Sequence, residues 1–473
     1  MSPERPINAD ERAPEPSEAP AAAKAQSAPP AAKSPPAPPT PEPAKARLDA
    51  PAPKASAPRP RRNRGRRPMP LTPKLLATLV LIAIAFIVAA VIGGSGGSKH
   101  DTGSSAPAPA PALSADSEEA PASQSAEQLG YPSFATDNTT RIGGSDAATN
   151  AAAVALAVFP GTEPSQRPKA VTLVSEENWA GAVAASVLMA EPVRAPLLVS
   201  SPEGVPDATT EAFEALQPTG FDGDHGVEAF SLGALDVPGE ARTRELGGGD
   251  AAAQAAEIAK LRDRLFDKPP AHVIVAPSAD PGFAIPAAAW AARSGDPVLF
   301  TNADALPAAT VAALKRHNEL PVYVLGPPSA ISAGVLAEIA KVDKHVKRVS
   351  GKDPVVNAIA FARYGDGGFG WNINDPGHGF VLAAADSPIE AAVASPLSAS
   401  GTWGPLLLTD SATKLPAKLG NYFLDVKPGY STDPTRAFYN HVWVIGDQEA
   451  IDVNQQAEVN GLAELAKIGG AQR

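Results

Sequence analysis

RIGGSD, residues 141–146, reads first as a glycine turn ahead of an alanine-rich helix. It returns as RELGGGD at residues 244–250 and as RVSGKD at residues 348–353. Asp146, Asp250 and Asp353 stand 104 and 103 residues apart, too regular for coincidence, so the chain repeats a module of about that length. A helix pattern follows each aspartate, which suits a side chain that accepts hydrogen bonds from free N–H groups at a helix start. Pro354, directly after Asp353, suits the first helical position. The glycines before the aspartates, Gly144, Gly248 and Gly351, are expected to supply a positive-φ turn. Capping does not require Arg141, Arg244 or Arg348. These either pair with acidic neighbours or present guanidinium groups to an anionic ligand, and the sequence leaves both readings open.

Working outward, three segments align. AVTLVS (170–175), APLLVSS (195–201) and VEAFSLG (227–233) are short apolar runs separated by helix patterns. AHVIVAP (271–277), DPVLFTN (296–302) and LPVYVLG (320–326) repeat the order, as do GFVLAAA (379–385), GPLLLTD (404–410) and HVWVIG (441–446). Continuous apolar runs alternating with helices predict parallel strands covered on both faces, so each module is an α/β unit with a short parallel sheet. Pro196, Pro297 and Pro405 open the second strand, and Pro206, Pro307 and Pro416 mark the start of the helix after it. The third module carries an insertion, YGDGGFGWNINDPGHG (364–379), and a longer stretch before its last strand. Such extra loops are where individual function concentrates.

Upstream, residues 1–70 are Pro, Ala and charge with almost no aromatic or β-branched side chains, and predict a disordered tail. The tail ends in RPRRNRGRR, just before LLATLVLIAIAFIVAAVI, Leu75 to Ile92, which has the length and apolarity of a membrane-spanning helix. A helix over 71–93, with the arginines inside, places the tail in the cytoplasm and the rest outside. Residues 94–136 read as a flexible linker. Net charge is −11 for the chain, but residues 131–473 hold 25 basic and 39 acidic residues, which makes nucleic acid an improbable partner. Cysteine is absent, so disulfides, thiolate metal sites and a cysteine nucleophile are excluded.

No enzyme constellation emerges. The seven histidines are scattered with no H-E-x-x-H, and no G-x-S-x-G elbow occurs. A formal G-x-G-x-x-G at Gly365, Gly367 and Gly370 follows a helix pattern and precedes a strand, the reverse of a dinucleotide site. The expectation is no catalytic residue, no cofactor and no metal.

The ordered set of motifs resembles the cell wall-binding repeat 2 family of Gram-positive surface proteins, in a membrane-anchored, actinobacterial-like setting. Its repeats carry an R-x-x-G-x-D type opening, an N-F-P-D-A-L-like junction, a P-I-L-L strand and a V-Y-V-L-G-G-x-x-A-I-S segment. The matches here are the three openings, NWAGAVAAS from Asn178, PLLV at Pro196, PVLF at Pro297, PLLL at Pro405 and LPVYVLGPPSAIS from Leu320. The resemblance implies three tandem Rossmann- or toprim-like modules, residues 137–240, 241–345 and 346–473, in a pseudo-three-fold arrangement. It also implies non-covalent retention on a wall glycopolymer or peptidoglycan. Through its P-I-L-L segments it carries polymer retention onto Pro196, Leu197, Leu198, Pro297, Val298, Leu299, Pro405, Leu406 and Leu407, beside Arg141, Arg244 and Arg348. The chain departs from the family where an aromatic residue and Thr usually follow the opening Asp: Ala147, Ala251 and Pro354 stand there instead.

The function expected is a non-catalytic, single-pass membrane protein whose external repeats bind cell wall polymer. A transmembrane sensor or assembly scaffold that binds an envelope protein or small solute uses the same layout, because an anchor is redundant for wall attachment. A cell wall hydrolase is the third class.

Overall fold

The computed structural model describes residues 137–161, 163–400 and 404–468. The tail, the apolar run of Leu75 to Ile92 and the linker lie outside the described residues. Among the described residues no helix is long and apolar enough to cross a membrane.

In chain order the strands are β1 (Thr139–Ile142), β2 (Val171–Val174), β3 (Leu197–Val199), β4 (Ala229–Leu232), β5 (Thr243–Leu246), β6 (Val273–Pro277), β7 (Val298–Thr301), β8 (Val322–Leu325), β9 (Val346–Val349), β10 (Gly379–Ala384), β11 (Leu406–Thr409), β12 (Gly429–Tyr430), β13 (His441–Ile445) and β14 (Ala466–Lys467). Apart from the small β12–β14 pair they form three four-stranded sheets, ordered β3-β2-β4-β5, β7-β6-β8-β9 and β11-β10-β13-β1, with every pairing parallel. The inner strands are apolar and buried along their whole length because helices cover both faces. The outer strands β5, TREL, and β9, VKRV, leave three of their four residues wholly or partly exposed, as suits a sheet edge.

The fourth strand of every sheet comes from the opening motif of the next repeat. Strand β5 completes the first sheet and β9 the second. The third has no successor, and β1, at the start of the described chain, fills the place: Arg141 lies opposite Val444 and Ile142 opposite Ile445. The chain is therefore closed on itself, and all of β1 is buried.

Thirteen α-helices connect the strands among the described residues, of which six matter most here. They are α1 (Ala147–Val158), α2 (Pro286–Ser294), α3 (Pro354–Arg363), α4 (Pro388–Val393), α5 (Pro396–Ala399) and α6 (Val453–Ala463). Helices α2 and α5 and the 3-10 turn Ser186–Met189, one from each module, pack on one another at the centre. Alanines in these segments and in the turns just before them make this possible: Ala184, Ala185, Ala287, Ala288, Ala291, Ala292, Ala391, Ala392 and Ala394 are at most 1% exposed, and small side chains let helix axes approach closely. Ser186 and Ser395 share a buried Oγ–Oγ hydrogen bond of 2.9 Å there. One continuous apolar cluster runs through all three modules.

Candidate functional site

Asp146, Asp250 and Asp353 each accept a hydrogen bond from the backbone N–H three residues on: Thr149, Ala253 and Val356, each at 2.8 Å. The glycines behave differently from the turn expected of them. Positive φ belongs to Gly143 (105°) and Gly249 (149°), not to Gly144 or Gly248, and the third copy has no such residue. Gly351 is needed for space instead, since a Cβ there would stand 2.2 Å from the Asn357 backbone nitrogen.

Four residues after each aspartate, a side-chain amide reaches across a module boundary. Asn150 Nδ2 donates to Glu390 (2.8 Å), Gln254 Oε1 accepts from Asn178 Nδ2 (2.9 Å), and Asn357 Nδ2 donates to the Phe283 carbonyl (3.3 Å). Asn150 and Asn357 also accept from the N–H groups of Gly144 and Gly351. The repeated turn thus holds neighbouring modules together.

The three arginines do not converge on a common groove. Each is held in a different sheet by its own neighbours. Arg141 is 2% exposed and donates to Gln456 Oε1 (3.0 Å) and to the carbonyls of Gly446 (2.9 Å), Asp447 (2.5 Å) and Ile451 (2.5 Å). Burial lowers its pKa, with Asp447 and Asp452 opposing the shift. Arg348 donates to the carbonyls of Gly326 (2.6 Å) and Ile331 (2.8 Å), the equivalent loop of its own sheet. Arg244 makes a two-pronged contact with the buried carboxylate of Asp224. Of the two readings left open by the sequence, acidic pairing describes Arg244, while carbonyl capture describes the other two.

The proline-leucine segments are equally internal. Pro196, Leu197, Leu198, Pro297, Val298, Leu299, Pro405, Leu406 and Leu407 are all buried. The carbonyls of Pro196, Pro297 and Pro405 accept from Thr172 (2.8 Å), Ile274 (3.0 Å) and Val381 (3.0 Å), the same ladder bond three times. Their role in the fold is to seat the second strand against the first.

In sheets of this order ligands enter at the carboxyl ends of the first and third strands, where the connections diverge. In the third module that crevice is acidic. Glu390 lies there half-buried, and its pKa is pushed up to about 7 by desolvation first, then by the charges of Asp447, Asp146 and Asp386. An anionic ligand is repelled there. The raised value means that the native state holds this proton more tightly than the unfolded chain, whose glutamates titrate near about 4.3. The stability cost is therefore absent below that value, grows as pH rises to about 7, and is complete above it. Glu390→Gln, which keeps an acceptor for Asn150, is expected to stabilise the protein by about 1 kcal/mol at about pH 8, after allowance for solvent screening, and by nothing at about pH 4. Denaturant unfolding at the two pH values checks this, and an equal effect at both would contradict it.

The structure brings together other residues, which motif reading had passed over. Where Ser186–Met189, α2 and α5 end, a cavity of about 500 Å³ opens on the central axis, lined by Met189, Glu191, Arg194, Arg293, Ala399 and Ser400 among others. Arg194 adopts a left-handed φ of 54°, pairs with Glu191 at 3.4 Å and lies 4.9 Å over the Phe159 ring. Arg293, in the last turn of α2, lies 5.4 Å over the Trp371 ring, and burial lowers its pKa. Arginine at the negative end of a helix dipole is favourable. Their one sequence signal is position, since each stands shortly before the proline of its second strand. Among the described residues no group of three or more His, Cys, Asp or Glu is arranged to hold a metal.

These features define a class: an α/β protein of repeated short parallel sheets whose modules meet at an axial, arginine-lined cavity. Residues 245–336, most of the second module, match the family model described as cell wall binding domain 2 (CWB2). Cwp6 and Cwp8 from Clostridium difficile share the fold, each with 18% identity and a TM-score of 0.52 over 69% of this chain. The similarity covers 47% of the Cwp6 chain and 52% of the Cwp8 chain, so the present chain spans about half the length of these solved proteins. No protein of curated function matches it. The resemblance to the cell wall-binding repeat 2 family is thereby shown for the second module by the family match, and the likeness of the remainder to Cwp6 and Cwp8 is one of fold.

Proposed function

We propose that this is a non-catalytic envelope protein, membrane-anchored through residues 71–93, whose external modules bind a cell wall polymer around their central axis. The single observation that carries the reading is the CWB2 match of residues 245–336 within a ring of like modules. The axial cavity supports it by gathering two arginines, with Glu191 as the one carboxylate among its lining residues, in modules whose net charge is negative, so that an anionic repeat unit meets a local excess of positive charge. A non-glycine residue held at positive φ, as Arg194 is, costs free energy that a binding role would explain. In this reading Arg141, Arg244 and Arg348, with the proline-leucine strands, shape the walls, and Arg194 and Arg293 face the polymer. The pseudo-three-fold, Rossmann- or toprim-like description follows from the same repetition.

The test is sedimentation of the full-length chain, in detergent, with purified cell walls, with and without a divalent-cation chelator. Retention is expected under both conditions and is expected to weaken in Arg194→Ala. A chain that stays in the supernatant under both conditions removes wall binding.

A further inference from the structure

A second cavity, of about 480 Å³, lies beside the axial one, between α2 and the insertion of the third module. Trp290, Trp371, Ile373 and His378 form part of its wall, and Tyr439, from the stretch before β13, stands at its rim. The insertion is held firmly in place there. Its formal G-x-G-x-x-G is a two-residue hairpin: Asp366 and Phe369 exchange both backbone hydrogen bonds at 2.9 Å, and Gly367 and Gly368 between them have φ of 58° and 98°. The hairpin drives Phe369 into the fold, stacked on Tyr323 with ring centroids 3.6 Å apart and edge-on to Trp290. Asp366 accepts from the Tyr323 hydroxyl at 2.9 Å and is paired with Lys347.

The rim itself is less well accounted for. Phe438 is 71% and Tyr439 55% exposed, and among the described residues they are the only exposed phenylalanine, tyrosine or tryptophan side chains. Two adjoining aromatic rings in water mark a surface that something covers. They cannot retreat from solvent, because their loop is pinned. The Tyr439 hydroxyl donates to the Pro434 carbonyl at 2.9 Å, the Asn440 amide nitrogen donates to the Val426 carbonyl at 2.8 Å, and the Asn440 amide oxygen accepts from the Gly377 N–H at 2.8 Å. Phe438 packs on Gly377, where any Cβ would stand 2.9 Å from the Phe438 Cβ.

The start of the described chain lies next to this pair. Strand β1 runs parallel to β13 with Thr139 opposite Val442, and the Val442 N–H donates to the Asn138 carbonyl at 3.0 Å. Parallel strands are entered from the same end, so the residues that lead into β1 meet the sheet where Phe438 and Tyr439 lead into β13. Carried back three and four residues, the register sets Thr136 level with Tyr439 and Ala135 level with Phe438. The sequence at that point is LGYPSFAT, residues 129–136. It holds Leu129, Tyr131 and Phe134 and no charged residue, whereas residues 94–128 contain no phenylalanine, tyrosine or tryptophan and have Leu113 as their one large aliphatic side chain. A spacer needs no aromatic rings. These two stand within reach of the exposed pair: Phe134 is three residues before Asp137, about 10 Å of extended chain, and Tyr131 is six residues before it, about 20 Å.

We propose that residues 129–136 dock on Phe438 and Tyr439, with Phe134 and Tyr131 packed against that exposed pair. The occupant of the surface is a segment of this same chain, and an uncharged one, so its burial desolvates no charge. The contact staples the linker to the third module just ahead of β1. A pull on the linker then loads the aromatic contact before it reaches β1 and the Arg141 tie behind it. This holds whatever the modules bind.

The absence of cysteine supplies the test, since one introduced thiol is the only one in the chain. Ala135→Cys is made in the full-length chain, in detergent, and its alkylation by iodoacetamide is timed. Docking slows the reaction, so Phe438→Ala with Tyr439→Ala is expected to speed it about tenfold, the worth of one or two aromatic contacts. Tyr131→Ala with Phe134→Ala is expected to do the same. All four changes together should add nothing further, because both pairs break one contact. A thiol placed by Ala112→Cys, farther up the linker, should be indifferent to all of them. Phe438 and Tyr439 are exposed, so their replacement leaves the sheets standing, which circular dichroism checks. An Ala135→Cys rate unmoved by Phe438→Ala with Tyr439→Ala would overturn the proposal, as would effects of the two pairs that multiply. Protection that rises with protein concentration gives the surface to a second copy of the chain and overturns it as well. Cell walls take no part in these readings, so their failure leaves wall binding untouched, and failure of wall sedimentation leaves the staple untouched.

Discussion

Arg141→Ala is expected to destabilise the folded chain by about 3–5 kcal/mol, because it strips partners from several buried acceptors at once. The carbonyls of Gly446, Asp447 and Ile451 and the amide oxygen of Gln456 all lose the guanidinium, with only the Asp447 carbonyl keeping a second donor in the Ile451 N–H at 3.2 Å, and water cannot replace it at a side chain only 2% exposed. The position matters as much as the bonds. Strand β1 closes the third sheet from the far end of the described chain, and Arg141 ties it to the loop after β13 and to α6. Loss of this tie should free β1 before the rest unfolds. Arg141→Lys has one nitrogen for what a planar fork reaches, and should recover little. Arg348→Ala removes two carbonyl contacts from a less buried site and should cost clearly less. Chemical denaturation gives the free energies, and hydrogen exchange of the β1 amides tests the local opening. A loss below about 1 kcal/mol for Arg141→Ala would contradict the closing role assigned to it.

Phe369→Ala comes next in size, at about 3–5 kcal/mol for a buried phenylalanine truncated in a site with little room to collapse. Its ring has no solvent exposure and touches Tyr323, Trp290, His272 and Phe361, so removal opens a void where the second module meets the insertion. The hairpin that carries it would lose its apolar anchor and be held by polar contacts, chiefly those of Asp366 to Tyr323, Lys347 and Tyr364. The expected signature is a lower unfolding midpoint together with a shift in tryptophan emission, since Trp290 and Trp371 both border the affected region. Phe369→Leu should retain roughly half of the stability lost in the alanine variant, because it restores volume but not the stacked ring. A silent Phe369→Ala would mean that the insertion is a surface loop and not a clamp.

How far the sequence could be read differs from residue to residue. Asp146, Asp250 and Asp353 were legible as caps because a cap is a contact over three residues. The strands were legible because a covered parallel strand is apolar throughout. The glycines were legible only as a turn: which of them takes positive φ depends on how close Asn150 or Asn357 comes, and that is set by packing. Arg141 was ambiguous for the same reason. Its acceptors lie more than 300 residues away in the chain, and no local pattern encodes them. Arg194 and Arg293 carried no motif at all, and their common cavity exists only because three helix ends meet.

By itself the sequence determined the repeat, the α/β pattern within it, the capped turns and the identity of the third module as the one with an added loop. All of these rest on contacts within a few residues or on the periodicity of apolar side chains. The tertiary structure alone decided that each opening strand belongs to the sheet before it, and that β1 closes the third sheet. It also decided that the motif arginines are held inside while two others line the axis, and that Phe369 locks the insertion over an aromatic pocket. The physical reason is that burial and hydrogen-bond satisfaction are properties of assembled surfaces: a guanidinium is a structural tie or lines a cavity according to what the rest of the chain brings against it.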